Sequence, residues 1–210
     1  MKIFVIGFNK TGTNSITKLL KKLNINTIHL KNGNKSYLDV IDEYDAFTDG
    51  SPYEFEKYYE KNPDSLFILN TRPIKKWLIS RYKHASNRNF IENWCWPFSF
   101  KRTYGWILER EKHFVKVLDF FKDKPEKLLI VNIEKKGFEK VIINFINNKI
   151  NFEMENNNLT FWCYKTKNQD NQEFIEIIKN IDICLKNLNY TGNEVLTNNK
   201  LDINKFQNYL

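Results

Sequence analysis

Two groups of residues in this chain have the types and spacing that chemistry at an anion requires. The first is Gly7-Phe8-Asn9-Lys10-Thr11-Gly12-Thr13-Asn14-Ser15, which follows an apolar run at residues 3–6 and leads into an amphipathic stretch. A strand, a glycine loop and a helix N-terminus make an anion cradle, because loop N–H groups and the helix dipole point at one spot. The glycines fit the P-loop spacing G-x-x-x-x-G, but Thr13 stands where the nucleotidase lysine belongs, and Lys10 sits inside the loop instead. The second group is Arg72 and Ser80. Arg72 ends an apolar run at residues 66–69, at the kind of sheet edge where open parallel sheets bind ligands. Ser80 falls about two turns into the helix that follows, so a guanidinium and a hydroxyl can converge on one phosphate. An ordinary tight turn, and an arginine at a helix start beside a solvated serine, are the plain alternatives.

Apolar runs alternate with amphipathic segments along the chain, which is the pattern of a parallel sheet covered on both faces. The fold class expected is α/β, a three-layer P-loop-NTPase-like fold with a central parallel sheet flanked by helices. Helix spacing places Ile16, Leu19, Leu20 and Leu23 on one stripe over residues 15–23. Short strands are expected at 27–30 and ending at 46–48, with a turn at Asn32-Gly33-Asn34. Ser51-Pro52-Tyr53-Glu54 reads as a capping box: Ser51 the N-cap, Pro52 the first helical residue, Glu54 folding back. That helix should stop before Asn62-Pro63. Residues 66–69 form the strongest central strand, and Pro73 opens a helix to about 84. Further helices are expected over 104–121, after Gly137 and over 173–188, and a last clear strand over 128–133. No repeat or linker interrupts the chain, so residues 1–210 read as a single domain.

Composition narrows the class. With 210 residues, 41% hydrophobic and 15% aromatic, the chain can bury a proper core. No apolar run approaches the roughly 20 residues of a membrane span. No signal peptide precedes the first strand. The three cysteines, Cys95, Cys163 and Cys184, form no C-x-x-C pair, and their odd number argues against a disulfide framework. A soluble, cytoplasmic protein is the expectation. The net charge of +8 calls for an anionic partner. The lysines are scattered and no nucleic-acid signature appears, which argues against nucleic acid. No cluster of His, Cys and carboxylates at ligand spacing suggests a metal.

A loop of the form G-x-x-K-T-G-T-x-S resembles the 5′-phosphosulfate loop of the sulfotransferases, enzymes that use 3′-phosphoadenosine-5′-phosphosulfate (PAPS) as sulfuryl donor. The segment from Phe67 to Tyr82 resembles their 3′-phosphate motif, R-x-P after a strand with a serine eight positions beyond the arginine. The likeness runs on through Asp49-Gly50-Ser51-Pro52, Tyr104-Gly105, the stretch with His113 and Val117, Phe120-Phe121, residues 128–133 and Gly137-Phe138-Glu139-Lys140. It covers residues 1–150, and 151–210 read as a C-terminal decoration. Asn14 departs from the usual Thr or Ser, and no R-K-G segment is present. Lys165 and Lys167 are the candidates to substitute for that second grip on the 3′-phosphate.

The resemblance implies the following roles. Lys10 reaches the bridging oxygen and stabilises the leaving phosphate. The N–H groups of Thr11, Gly12, Thr13 and Asn14 hold the 5′-phosphate with the hydroxyls of Thr13 and Ser15, while Arg72 and Ser80 hold the 3′-phosphate. Ser15 also serves as helix N-cap. Family members often carry their base just before the arginine strand, which makes Asp49 the candidate here, with a helix cap as its other role. His113 reads as a core or second-tier histidine and His84 as an outside alternative base. Trp94, Trp96, Phe98 and Phe100, with Arg88 and Lys101 nearby, either pack a core or wall an acceptor pocket. The donor is PAPS, the product 3′,5′-diphosphoadenosine (PAP), and the acceptor a small molecule or glycan bearing a hydroxyl or amine. The rival readings are a P-loop nucleotide kinase or NTPase, and a catalytically inactive nucleotide- or glycan-binding relative.

Overall fold

The computed structural model describes residues 1–30, 35–86, 98–150 and 172–194. Five strands make one sheet: β1 (Ile3–Val5), β2 (Thr27–His29), β3 (Ala46–Thr48), β4 (Leu66–Thr71) and β5 (Leu128–Asn132). The described residues also form six α-helices: α1 (Thr13–Lys22), α2 (Phe55–Lys61), α3 (Ile74–Ser86), α4 (Phe100–Phe121), α5 (Phe138–Ile150) and α6 (Gln172–Asn187). The strand order is β2-β3-β1-β4-β5, every pairing parallel. The α/β expectation holds, and the strands and helices lie close to the predicted spans. The turn expected at Asn32-Gly33-Asn34, Arg88, Trp94, Trp96, Cys95, Cys163, Lys165 and Lys167 lie outside the described residues.

The chain divides into two compact units. Residues 1–71 and 119–164 make the first, and residues 72–118 and 165–210 the second. In the first unit, β1 sits between β3 and β4. The chain leaves β1 for β2 and β3 on one side and returns to β4 and β5 on the other. That reversal opens a crevice at the C-terminal end of β1, the place where open α/β sheets take ligands.

The period of two along each strand sends alternate side chains to opposite faces, and the two faces differ in chemistry. Phe4 aligns with Phe47 on β3 and Phe67 on β4, with ring centroids 5.0 and 5.3 Å away. Tyr37, Phe55, Tyr58 and Phe121 complete this aromatic layer, all of them buried. On the other face Ile3, Val5, Ala46, Leu66, Ile68 and Val131 meet the α1 stripe of Ile16, Leu19, Leu20 and Leu23 and the α5 residues Phe138, Ile142 and Ile146. Each fully buried side chain of this size contributes about 2–3 kcal/mol by leaving water.

In the second unit α3, α4 up to Leu118 and α6 enclose Trp77, Tyr82, Tyr104, Ile107, Phe174, Ile177 and Ile181, all buried. Lys75 pairs with Asp182 at 2.6 Å between α3 and α6. Arg110 is fully buried, 4.7 Å from the Phe114 ring and 5.5 Å from that of Trp77. Burial pulls its guanidinium down to about 10, against the opposing pull of the adjacent Glu111 carboxylate.

Two local expectations need correction. Helix α1 begins at Thr13 with Gly12 as its N-cap, so Ser15 lies inside the first turn and caps nothing. Gly12 takes the position because the chain turns there through φ 91°, which glycine tolerates without cost. Nor does a capping box form at Ser51. Ser51 does precede a short 3-10 turn headed by Pro52, but its hydroxyl makes no capping bond. Glu54 instead takes hydrogen bonds from Ser36, Lys57 and Tyr58, which together hold its carboxyl below the usual range.

The tightest constraint in the fold lies at Gly7. A Cβ there would stand 2.2 Å from the backbone oxygen of Asn70 and 2.3 Å from its side-chain oxygen. Gly7→Ala should therefore cost about 3 kcal/mol or more in urea unfolding, since backbone has to yield. Wild-type stability in that variant would show that the β1–β4 crossing is looser than this packing requires.

Candidate active site

The loop after β1 is held in place from the neighbouring strand. Asn70, buried near the end of β4, accepts from the Gly7 N–H at 3.0 Å. Its amide donates to the Thr11 carbonyl at 3.0 Å and to the Thr11 hydroxyl at 2.7 Å. Thr11 in turn donates through its hydroxyl and its N–H to the Phe8 carbonyl. Its N–H therefore closes the loop rather than facing outward. The groups aimed out of the loop are those of the first α1 turn, where Thr13 and Asn14 have N–H groups without intrahelical acceptors. The first turn of α1 carries no acidic residue and the last carries Lys21 and Lys22, the charge order that favours an anion at the N-terminus.

Lys10 stands at the crown of the loop with φ 67°, and Asp49, just after β3, has φ 61°. Among the described residues only Asn24 and Asn189 share that backbone region without being glycine. A left-handed conformation costs a non-glycine residue about 1–2 kcal/mol, and such strain clusters where function demands it. Both residues expected to do chemistry thus occupy strained backbone in the first unit.

Asp49 has a neighbour at each oxygen. The Thr13 hydroxyl donates to Oδ1 at 3.1 Å, and His29 Nε2 lies 3.5 Å from Oδ2. The carboxylate therefore touches the first residue of α1. The hydroxyl of Thr13, expected on the 5′-phosphate, is directed at Asp49. Two tyrosines brace the segment beneath. Tyr37 Oη donates to the Val5 carbonyl at 2.8 Å and accepts from the Gly50 N–H at 3.1 Å. Tyr58 Oη donates to the Ser51 carbonyl at 2.9 Å. Burial pushes the Tyr58 phenol up to about 12 and the Tyr37 phenol further still, so both remain hydrogen-bond donors at any working pH.

The second unit carries the other predicted anion ligands. Arg72 and Ser80 are half-buried, and the Arg72 carbonyl accepts from Arg110 Nη2 at 3.1 Å. The first N–H groups of α3, at Ile74 and Lys75, donate to the carbonyls of Glu194 and Gly192 at 2.9 and 3.2 Å. The C-terminal part of the chain, beyond the reach of the motifs, thus caps the helix that follows Arg72. His113 is buried on α4, and His84 is half-buried on α3. Phe98 stacks on Tyr82 at 5.3 Å, and Phe100 is largely exposed.

Three site residues escaped the sequence reading. Asn70 carried a signal, a polar residue closing an apolar strand one position from Arg72's neighbour. His29 ends a strand so short that its side chain had no readable direction. Tyr37 sits in an irregular stretch where no periodicity applies. Among the described residues, no group of three or more His, Cys, Asp or Glu is placed to hold a metal, and no helix is long and apolar enough to cross a membrane.

Comparison with known proteins gives two positive findings. A sulfotransferase domain family matches residues 31–165, well over half of the chain and beginning beyond the glycine loop. The mouse sulfotransferase SULT7A1, crystallised in complex with PAP, has a TM-score of 0.52 and 14% identity to the chain, covering 97% of this chain and 72% of its own. At that identity the likeness is one of fold. No curated protein sequence matches.

The strain at Lys10 yields a measurable consequence. Lys10→Gly should raise stability in urea unfolding by about 0.5–1 kcal/mol, because glycine adopts φ 67° freely. An equal loss of stability instead would mean that the lysine side chain anchors the loop.

Proposed function

Because the chain belongs to the sulfotransferase domain family, we propose that it transfers a sulfuryl group from PAPS to an acceptor hydroxyl or amine. The observation that carries this reading is Lys10 at the strained crown of a glycine loop, with Asp49 bonded to the helix that the loop opens. We read the two units as one catalytic domain in a soluble, cytoplasmic protein. Its acceptor is a small molecule or glycan.

In the transfer, an S–O bond forms to the acceptor oxygen while the S–O bond to the donor's 5′-phosphate breaks. The bonding pair leaves on that phosphate oxygen. Catalysis then consists chiefly of positioning and of stabilising charge on the leaving phosphate and the sulfuryl oxygens. Lys10 supplies a cation at the leaving oxygen. The first N–H groups of α1, with Gly12 and Asn14 at the mouth of the loop and Ser15 behind, hold the phosphate. Asp49 takes the acceptor's proton, for which it must lie within hydrogen-bond reach of that hydroxyl. Arg72 and Ser80 bind the 3′-phosphate, the group that separates this donor from other adenine nucleotides.

A P-loop kinase needs a lysine where Thr13 stands, and the Thr13 hydroxyl is engaged with Asp49. Strain at Lys10 and Asp49 together supports a site that grips its ligand tightly, and turnover of PAPS separates the transferase from a binding protein.

Isothermal calorimetry of PAP against ATP-magnesium separates these readings. Preference for PAP without metal supports the transferase, and preference for ATP-magnesium moves the chain to the kinases. Arg72→Ala should weaken PAP about 10–100-fold and leave 5′-AMP nearly unchanged, the expected effect of losing a charge-assisted bond to one phosphate. Equal losses would detach Arg72 from that role. Lys10→Ala should lower PAPS turnover about 100–1,000-fold while PAP still binds, because a transition-state stabiliser is lost. Undiminished turnover would remove Lys10 from the mechanism.

A further inference from the structure

We propose that His29 is the positioning residue of Asp49, sharing one proton with its carboxylate and holding it in the orientation that receives the acceptor's proton. The inference rests on the transferase reading of Asp49 given above. It starts from a cluster that no motif marks, assembled from three elements of the first unit. The His29 and Asp49 side chains are each about four-fifths buried, with 19% and 18% exposure. His29 Nε2 stands 3.5 Å from Asp49 Oδ2. On the other side of the ring, Nδ1 lies 2.9 Å from Thr48 Oγ1 and 3.2 Å from Thr17 Oγ1. The two hydroxyls are 2.6 Å apart, Thr17 donates to the Thr13 carbonyl at 2.8 Å, and Thr48 reaches the Ile28 carbonyl at 3.2 Å.

Counting hydrogens relates the proton on the His29–Asp49 line to the tautomer of the ring. Each threonine hydroxyl has one hydrogen to give. Where Thr17 gives its own to the Thr13 carbonyl, Thr48 must donate across the 2.6 Å contact, and His29 Nδ1–H then donates to Thr48. Nε2 then faces the Asp49 oxygen as a lone pair unless a second proton is held between them, on the ring or on the carboxyl, and only with that proton is the contact attractive. Where Thr48 donates to Nδ1 instead, the neutral ring carries its hydrogen on Nε2 and donates it to Asp49. The second arrangement puts a proton on the His29–Asp49 line directly, and the first requires an additional one there for the contact to be attractive. The separation of 3.5 Å is long for a hydrogen bond, and catalytic contacts of ligand-free enzymes commonly tighten when substrate arrives.

The consequence is geometric. The Thr13 hydroxyl binds Oδ1 and His29 Nε2 faces Oδ2 at 3.5 Å, so a tightened His29 contact would hold the carboxyl plane from both sides. Thr13 is the first residue of α1, and the Asp49 oxygens are therefore indexed to the donor end of the site. An aspartate held at one oxygen only would rotate freely about its last torsion and spend less time in line with the acceptor.

Two measurements test this. In ligand-free protein, the ring 15N resonances of His29 should move when Asp49→Asn removes the shared proton's partner, and should stay in place in the remote control Asp42→Asn. Resonances that ignore Asp49→Asn overturn the pair, whatever the protein catalyses. Kinetically, His29→Gln keeps a donor at the Nε2 position, whereas His29→Asn keeps one only at the Nδ1 position, against Thr48. With 35S-labelled PAPS and water as the acceptor probe, His29→Gln should retain most of kcat. His29→Asn and His29→Ala should lose about 10–100-fold, the usual effect of removing a residue that orients a working side chain, with PAP affinity unchanged in calorimetry. A merely structural histidine would make Asn and Gln equivalent, and that result overturns the proposal. Wild-type protein that leaves PAPS intact shows that water is no acceptor, and the resonances alone then decide the pair. The transferase reading itself falls if the protein prefers ATP-magnesium to PAP in calorimetry.

Discussion

One amide side chain ties the site to the sheet. Asn70 spans from β4 to the loop after β1, bonding the Gly7 N–H, the Thr11 carbonyl and the Thr11 hydroxyl. Its amide satisfies three buried polar groups at once, any of which would cost about 1–3 kcal/mol if left without a partner. The loop can pass close enough to be held only because residue 7 lacks a Cβ. From that clamp the rest follows in order. The loop closes on Thr11, Gly12 turns the chain into α1, and the first turn of α1 places Thr13 against Asp49. The loop's shape is thus a property of the β1–β4 pairing as much as of its glycines.

The sheet's two faces divide the work. The aliphatic face fixes α1 through four residues of one stripe, which aims the helix N-terminus. The aromatic face carries Tyr37 and Tyr58, whose rings stack in the core while their hydroxyls hold the backbone beside Asp49. Core packing on both faces therefore supports the backbone strain at Lys10 and Asp49. A looser core would let both residues relax to ordinary conformations and the geometry would be lost.

Much of this was legible in the sequence, and for physical reasons. The strands at 3–5 and 66–71 are legible because a parallel sheet buries its central strands on both faces, and α1 shows its stripe because only one face is buried. Gly7, Lys10 and Gly12 could be read because backbone constraint and charge are local. What could not be read depends on long-range pairing. The Ser51 capping box failed because Glu54 found Ser36, Lys57 and Tyr58, partners that only the folded chain brings near. Ser15 was displaced as a cap because Gly12 turned the chain three residues earlier. His29 stayed hidden because its partners come from residues 17, 48 and 49, and three-residue strands show no face.

Tyr37 has an evolutionary consequence. Its ring belongs to the stacked aromatic layer, and its hydroxyl joins the end of β1 to the Gly50 backbone, where a Cβ would stand 2.3 Å from that same ring. A mutation that reshaped the ground beside Asp49 through this residue would disturb the core at the same moment. Drift is therefore discouraged here by folding itself, independently of any selection on catalysis. Inherited novelty in what the protein acts upon has to come from segments that the aromatic layer does not bind. The ground around Gly50 and Asp49 becomes the slow-changing part of the first unit, and segments outside the aromatic layer the part free to diverge.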